Sequence, residues 1–387
     1  MHPPEKKIRV VHYCNQLSIG GTERTMEIFC KYLDRTRFEV FVVSRIHRVK
    51  LTTRLRVELG ARLGLRPARG KKLLWASMNV RATNFQTILG PDHVFFASDD
   101  NSLRHILLKL NPDILHVHYS GNAEAPTSDE EVLSRIPVTV TTNPFEKQNT
   151  APAHRHVKKI LFVSRWLLEN RAQWASQDAR AGVLYNPIEV PCTQSTLRTE
   201  LGIPENAFVV GRVGRADPGI HDPIGLRAYR QIEDANTFFL ALSPPDNMLR
   251  QAKALNLKNF ISLPPKADDV FLSKFYNTID VLAHSRRDGE TFGCNIAEAM
   301  IHGTPVISHL TPFMNAQSEV IGDTGFVCAQ DDWQDYAAKL ALLKSDQQIR
   351  YELSSRSESR ALEQFEARSL THRLEKIYLE LLAQSRN

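Results

Sequence analysis

Two glutamates separated by seven residues are the clearest pair of chemically useful side chains in this sequence. Glu290 stands in a glycine-containing loop, and Glu298 stands about one turn inside the helix predicted to follow it. Glu298 could accept hydrogen bonds from a ribose diol, while Glu290 could face a sugar. Backbone N–H groups at the start of a helix suit a diphosphate, and here they would come from Thr291, Phe292, Gly293 and Cys294. The same two acids could instead simply cap the helix. Against that alternative, a glycine-containing loop, both acids and a predicted buried strand at 304–308 follow one another in this order along the chain.

A second candidate follows the first predicted strand, where Gly20 and Gly21 precede a helix expected to begin near Thr22. Paired glycines let a backbone approach a ligand closely, and a helix start aims N–H groups at an anion or a sugar oxygen. A tight strand-to-helix turn without a ligand explains the same residues. The spacing is not G-x-G-x-x-G, so the dinucleotide fingerprint is absent.

A histidine ends another predicted strand, 114–117, and is expected to point into a ligand cleft. This is His118; His116 lies on the same face of the strand and is a competing candidate. A purely structural histidine is the alternative for both. The sequence has no Asp-x-Asp triplet, and two of its pairs of adjacent aspartates, Asp99-Asp100 and Asp268-Asp269, are typical of helix caps or turns. We therefore expect metal-independent chemistry.

The composition excludes several classes of protein. A chain of 387 residues with 42% hydrophobic and 24% charged residues can bury two cores and is not disordered. Its five cysteines are odd in number and never spaced C-x-x-C, which argues against a disulfide framework and a zinc site and favours a reducing compartment. No apolar run resembles a signal peptide or a membrane span. The expected location is the cytoplasm, with peripheral contact at the inner face of a membrane as an option.

The positive charge is concentrated in one stretch. Of a net charge of +6, the segment from Arg45 to Lys72 contributes ten basic residues against the single acid Glu58. Leucines recur within it every four residues, which predicts a helix with an apolar stripe and a cationic rim: Leu51, Leu55, Leu59 and Leu63. Such a helix could contact anionic lipid or a phosphate-bearing acceptor, or could simply be a solvated or domain-packing helix. Nucleic-acid binding is not expected, because aromatic residues are not interleaved with the basic ones.

Short β-branched runs alternate with helical patterns, which is typical of parallel sheets with crossover helices. The predicted strands are 8–13, 38–43, 94–97, 114–117, 138–141, 160–163 and 182–185, then 207–211, 237–241, 259–262, 279–283 and 304–308. A Pro-, Thr- and Ser-rich stretch, 186–198, separates the two sets. The fold class predicted is α/β, with two Rossmann-like, doubly wound domains whose interdomain cleft would hold the ligand.

The segment from Glu290 to Val306 resembles the E-x7-E element of the family 4 glycosyltransferases, which have the GT-B fold. Further stretches resemble the same family in the right order: 9–23, 112–118, 183–187, 211–215 and 315–320. The resemblance extends over about residues 8–380 and is most specific in its C-terminal part. It implies an acceptor-binding domain at 1–185, joined by a C-terminal helix at about 370–387, and a nucleotide-sugar-binding domain at 186–369.

The resemblance also implies roles for individual residues. Glu298 would hold the ribose, Glu290 the donor sugar, and the backbone of Phe292 and Gly293 the phosphates. Arg212 or Arg215 would stabilise the charge that grows on the departing diphosphate. The same resemblance places His118 near the reacting sugar. The family usually has a lysine soon after this point, but the sequence has none there, and the candidates to replace it are Lys266, Arg286 and Arg287.

The function expected is metal-independent, retaining transfer of a hexosyl-type sugar from a nucleoside-diphosphate sugar to a hydroxyl acceptor. The acceptor would be a glycan or lipid-linked, as in polysaccharide or glycolipid assembly, and no cofactor is expected beyond the co-substrate. Two alternatives stay open: a nucleotide-sugar 2-epimerase, which would need no acceptor, and a sugar-nucleotide binding protein without turnover.

Overall fold

The computed structural model describes residues 6–46, 79–121, 124–266 and 268–386. Most of the basic segment from Arg45 to Lys72, including the predicted leucine-striped helix, lies outside these residues. Within the described ranges, no helix is both long enough and apolar enough to cross a membrane.

The first half of the chain alternates strands with helices. Its strands are β1 (Ile8–Cys14), β2 (Phe38–Arg45), β3 (Val94–Ala97), β4 (Ile114–His118), β5 (Val138–Asn143), β6 (Val157–Phe162) and β7 (Ala181–Val183). Its helices are α1 (Gly21–Tyr32), α2 (Ala82–Leu89), α3 (Asp100–Leu110), α4 (Glu130–Arg135) and α5 (Arg165–Asn170). The strands form one parallel sheet in the order β3-β2-β1-β4-β5-β6-β7.

The second half repeats the pattern. Its strands are β8 (Phe208–Val213), β9 (Thr237–Leu242), β10 (Phe260–Leu263), β11 (Val281–Ala283), β12 (Gly289–Glu290), β13 (Val306–His309), β14 (Met314–Asn315) and β15 (Phe326–Cys328). Its helices are α6 (Arg198–Leu201), α7 (Ile224–Ile232), α8 (Asp246–Ala254), α9 (Asp269–Thr278), α10 (Cys294–Ile301), α11 (Ala316–Ile321), α12 (Trp333–Ser345), α13 (Gln347–Gln364) and α14 (Ala367–Ser385). A parallel sheet has the order β10-β9-β8-β11-β13-β15, and β12 pairs with β14. The predicted pair of parallel α/β domains is confirmed.

The chain divides into two compact units. The first contains Met1–Val163, Leu168–Pro187 and Arg368–Asn387, and the second contains Ser164–Leu167 and Ile188–Ala367. The end of the chain belongs to the first unit because α14 buries an apolar face in that unit's core: Leu370, Leu374, Tyr378 and Leu382.

The adjacent aspartates have the capping role expected from the sequence. The Asp99 carboxylate accepts a hydrogen bond from the Ser102 amide at 2.8 Å at the start of α3, and the Ser102 hydroxyl accepts one from the Asp99 amide. The Asp268 carboxylate accepts one from the Phe271 amide at 2.8 Å at the start of α9. Each satisfies backbone donors that the first turn of a helix leaves without a partner.

Candidate functional site

The loop between β11 and α10 is fixed by a glycine that no other residue can replace without rearrangement. Gly289 has a φ of +65°, and a Cβ built on it would lie 1.6 Å from the carbonyl oxygen of Met314. The close approach arises because Gly289 and Glu290 pair with Met314 and Asn315 in the short β12–β14 ladder. The Glu290 amide also donates to Oε1 of Gln317 at 3.1 Å, so the backbone at Glu290 is held from two sides.

Replacing Gly289 with alanine is expected to destabilise the fold by about 3 kcal/mol or more, because a left-handed conformation and a backbone clash act together. Gly202 is a matched control, because its φ is +66° and a Cβ there would meet no atom within 4 Å beyond its chain neighbours. Gly202→Ala should therefore show only the conformational cost, about 1 kcal/mol. Urea unfolding measures the free energy of unfolding of both variants. Equal losses of stability in the two would contradict this description of the loop.

The side chain of Glu290 is held by two donors. Its Oε1 atom lies 3.1 Å from Nη1 of Arg286 and 3.2 Å from Nε2 of His284. Arg286 also binds Asp288 through Nε at 2.6 Å and Nη2 at 2.9 Å. Burial alone would raise the pKa of Glu290, but the hydrogen bond from His284 and the charge of Arg286 outweigh it and lower the pKa. The carboxylate is therefore ionised at neutral pH.

The turn that follows Glu290 leads directly into α10. Gly293 caps this helix with a φ of +91°, and its carbonyl accepts from the amides of Ile296 and Ala297. Phe292 is buried with its ring edge against Phe365. The Thr291 carbonyl accepts from the Ser164 hydroxyl at 2.7 Å. These contacts anchor the backbone of the stretch predicted to bind phosphates, which ends at Cys294, the first residue of the helix.

Glu298 lies one turn into α10, where Oε2 accepts a hydrogen bond from the Tyr276 hydroxyl at 2.7 Å. Burial, followed by the charge of Glu298, raises the pKa of Tyr276 well above its usual value, so the phenol remains a proton donor. This bond orients a half-buried carboxylate.

Arg212 is a buried cation held by backbone carbonyls. Its guanidinium donates to the carbonyls of Ser243 at 3.1 Å, Arg215 at 3.3 Å and Gly214 at 3.4 Å. Among the described residues, no carboxylate lies within ion-pair distance of it. Burial, and then the like charge of Arg286, lower the pKa of Arg212 to about 10. A buried cation without an anionic neighbour favours binding of an anion.

One pocket within the second unit is lined by Arg212, Arg215, His284, Arg286, Glu290 and Asn295, together with neighbouring residues. Glu298 and the turn from Thr291 to Cys294 do not line this pocket. Arg215 itself is exposed. The lining thus combines an unneutralised guanidinium with a carboxylate at the C-terminal ends of β8 and β11, where α/β sheets bind ligands.

The three candidates to replace the family's lysine differ in position. Arg286 lines this pocket, although its charge is shared with Asp288 and Glu290. Arg287 is exposed, and Lys266 lies over the ring of Phe271, 4.2 Å from its centre.

The glycine pair of the first unit is braced by an acid that sequence reasoning missed. Gly20 is the N-cap of α1, and a Cβ on it would lie 2.4 Å from Oε2 of Glu23. Glu23 is buried and accepts hydrogen bonds from Gln16 and Ser18, both at 2.8 Å. The G-G-x-E spacing is the signal from which this brace could have been predicted.

His118 belongs to a buried cluster of three histidines. Its Nε2 lies 2.9 Å from Nδ1 of His12, and its ring stacks on that of His116 with centres 4.1 Å apart. Both nitrogens of His116 are hydrogen-bonded, to the hydroxyl of Tyr378 at 2.6 Å and to that of Thr142 at 2.8 Å. All three imidazoles are fully buried in this structure. One nitrogen from each lies within 4.8 Å of the others, but a cation there would have to replace existing hydrogen bonds.

Acid should destabilise the first unit through this cluster. Burial lowers the pKa of His12 to about 3 and lowers those of His116 and His118 well below the usual 6.5. The unfolded chain therefore binds more protons below pH 6.5, and stability is lost as the pH falls from there towards 3. In that window, each histidine lowers the free energy of unfolding by about 1.4 kcal/mol for each unit by which the pH falls.

The variant His12→Leu should therefore lose stability less steeply with falling pH, by about 1.4 kcal/mol per unit. Hydrogen exchange of peptides from β1 and β4 between pH 6 and 4.5 measures this slope. Glu124, whose pKa burial raises to about 7, acts in the opposite direction in both proteins and cancels in the comparison. An unchanged slope in the variant would contradict the neutral state of His12.

Comparison with known proteins identifies the family. Residues 193–360 match the family model "Glycosyl transferases group 1". The chain is 30% identical over 314 residues to N-acetyl-alpha-D-glucosaminyl L-malate synthase of Bacillus anthracis, covering 74% of this chain and 80% of that protein. It is 24% identical over 234 residues to D-inositol 3-phosphate glycosyltransferase of Thermomonospora curvata, covering 54% and 53% of the two chains.

Solved structures show the same fold. HepE of Anabaena, in complex with UDP and glucose, has a TM-score of 0.69 at 17% identity, covering 96% of this chain and all of that one. A glycosyltransferase of Rickettsia africae has a TM-score of 0.72 at 14% identity, covering 98% and 99%. From the two α/β sheets, the family model and the extent of the match to the B. anthracis protein, the chain belongs to the group 1 glycosyl transferases and is a glycosyltransferase.

Proposed function

We propose that this chain is a retaining glycosyltransferase of family 4 that moves a sugar from a nucleoside-diphosphate sugar to a hydroxyl acceptor. The observation that carries the proposal is the position of Arg212, a buried guanidinium without a carboxylate partner among the described residues, in one pocket with Glu290. A departing diphosphate supplies the negative charge that such a cation favours.

The donor is placed by the two acids and the turn between them. Glu298, oriented by Tyr276, would accept hydrogen bonds from the ribose, and Glu290 would accept them from the sugar. The backbone from Thr291 to Cys294 would face the diphosphate at the start of α10. The presence of UDP and glucose in HepE, a protein of the same fold, supports a nucleotide-sugar donor.

Retention follows from a same-face substitution. The acceptor oxygen forms a bond to C1 of the sugar as the bond from C1 to the phosphate oxygen breaks. The acceptor proton passes to the departing phosphate, so no covalent enzyme intermediate is needed. The protein contributes positioning and charge stabilisation, mainly from Arg212 with Arg215 as a second, exposed donor. We expect this to occur without a metal ion.

The acceptor class proposed is a glycan or a lipid-linked sugar. The capsular polysaccharide biosynthesis glycosyltransferase CapM of Staphylococcus aureus, 27% identical over 187 residues, supports a role in polysaccharide assembly. A cytoplasmic location, with contact between the segment from Arg45 to Lys72 and an anionic membrane, fits that role.

A ligand screen followed by turnover assays tests the proposal. The melting temperature of the protein is measured with UDP, GDP, ADP and their common sugars. It should rise for one nucleotide class, because ligands that bind only the native state stabilise it. Incubation of that donor with a panel of acceptors should then give a product with the donor's anomeric configuration by NMR. Change of the sugar without any acceptor would instead identify an epimerase. Donor binding without turnover would identify a binding protein, and no binding at all would overturn the proposal.

A further inference from the structure

His284 follows β11 and is fixed by the sheet beside it. Its backbone amide donates to the carbonyl of Ile307 at 2.8 Å, continuing the β11–β13 pairing, so its side chain neighbours that of Ser308. Nδ1 of His284 lies 2.9 Å from the Ser308 hydroxyl, and its other nitrogen lies 3.2 Å from Oε1 of Glu290. The side chain of His284 is only 4% exposed, and Ser308 is fully buried.

The chemistry of the chain Ser308–His284–Glu290 sets its proton positions. An ionised carboxylate only accepts hydrogen bonds, so Nε2 of His284 must carry a proton towards Glu290. In the neutral imidazole, Nδ1 is then an acceptor, and it accepts a hydrogen bond from the Ser308 hydroxyl. The carboxylate of Glu290 thus selects this form of His284, and the bond to Ser308 holds the ring in its orientation.

Both donors to Glu290 converge on one oxygen. His284 and Arg286 bind Oε1, and the short β-ladder holds the backbone of Glu290, so the rotation of the carboxylate is fixed. Resting on the function proposed above, we propose that His284, held in orientation by Ser308, is a positioning residue that turns Oε2 of Glu290 towards a hydroxyl of the donor sugar. The effect of His284 should be confined to binding of the sugar, because binding of the nucleotide is assigned to Glu298 and the turn before α10.

Three variants separate this role from a structural one. His284→Leu removes both hydrogen bonds, whereas His284→Gln keeps an N–H donor for Glu290. His309→Leu is the matched control, because His309 is 3% exposed at the end of the neighbouring strand and its Nδ1 contacts the carbonyl of Leu310. Binding of UDP and GDP, binding of UDP-glucose and GDP-mannose, and kcat are measured for each.

For His284→Leu we expect kcat to fall by about 10²-fold, the order of loss that a misplacement of about 1 Å causes. Affinity for the sugar nucleotide should fall towards that for the bare nucleoside diphosphate, which should itself change less than twofold. His284→Gln should recover much of both losses, and His309→Leu should change stability only. Equal weakening of UDP-glucose and UDP, or no recovery with glutamine, would overturn the positioning role.

A second measurement does not depend on the donor. Nitrogen-15 NMR of the histidine imidazoles in the ligand-free protein, with the His284 signal assigned by its loss in His284→Gln, should show a proton on Nε2. Ser308→Ala should leave this proton on Nε2, because the carboxylate of Glu290 still accepts it. A neutral ring protonated on Nδ1 would overturn the inference even if transfer is established. Failure of UDP, GDP, ADP and their sugars to bind would count against the proposed donor and would leave this NMR result valid.

Discussion

Replacing Arg212 with alanine is expected to lower kcat by about 10² to 10³-fold, the loss seen when one charge-stabilising donor is removed from a transition state. Arg212 is 5% exposed, so its charge acts in a poorly solvated site where electrostatic interactions are stronger than in water. Its hydrogen bonds to carbonyls fix its position before any ligand arrives. Arg212→Lys keeps the charge but loses the planar fork, and should retain only part of the activity.

Arg198 is a matched control for this prediction. It is 8% exposed in the same unit and also donates to carbonyls, those of Pro204, Glu205 and Ala207, but it forms an ion pair with Asp280 at 3.0 Å. Arg198→Ala should therefore destabilise the fold without a comparable loss of kcat per folded molecule. Arg215→Ala should cost less than Arg212→Ala, because water screens an exposed charge. Steady-state kinetics of each variant at matched folded fraction test these expectations. Equal kcat values for the wild type and Arg212→Ala would refute the role assigned to Arg212.

Replacing Glu290 with alanine and replacing Glu298 with alanine are expected to have different effects on ligand binding. Glu290→Ala should reduce kcat by about 10²-fold and weaken the sugar nucleotide, while binding of the nucleoside diphosphate alone stays unchanged. Glu298→Ala should weaken both ligands by about 10-fold to 100-fold, since hydrogen bonds to a charged group contribute about 1.5–3 kcal/mol. Glu290 is joined to Glu298 by one short turn and the start of α10, so a general disturbance of that region would affect both ligands in both variants.

Calorimetric titration of each variant with UDP, GDP and their sugars separates these outcomes. Tyr276→Phe serves as a milder companion to Glu298→Ala, because it removes the 2.7 Å bond that orients Glu298 and keeps the carboxylate. Its effect should be in the same direction and smaller. If Glu290→Ala weakened the bare nucleoside diphosphates as strongly as Glu298→Ala did, the separate roles of the two acids would be wrong.

The local parts of the fold were accessible from the sequence because their signals are contiguous. Alternating β-branched runs and helical patterns predicted both parallel sheets, and the stretch from Glu290 to Glu298 contains loop, helix start and acids in one short segment. The two-residue strands β12 and β14 were not predicted, because two residues are too few for a periodic pattern.

Long-range contacts were not accessible in the same way. His12 meets His118 across 106 residues, and Tyr378 meets His116 across 262. The bond from Ser308 to His284 depends on the pairing of β11 with β13, which sequence spacing does not encode. Arg286 could be identified from the sequence as a basic residue near the site, but its ion pairs with Asp288 and Glu290 are seen only in the structure. A single sequence therefore does not determine which side chains are brought into contact by the order of strands in a sheet.

A crystal structure of the protein with a bound nucleoside-diphosphate sugar, chosen from the thermal-shift screen, tests the central claim most directly. We predict that the ribose hydroxyls contact Glu298, that the sugar contacts Glu290, and that the diphosphate lies between Arg212 and the first amides of α10. A donor bound elsewhere on the protein, in contact with neither Glu290 nor Glu298, would contradict the account.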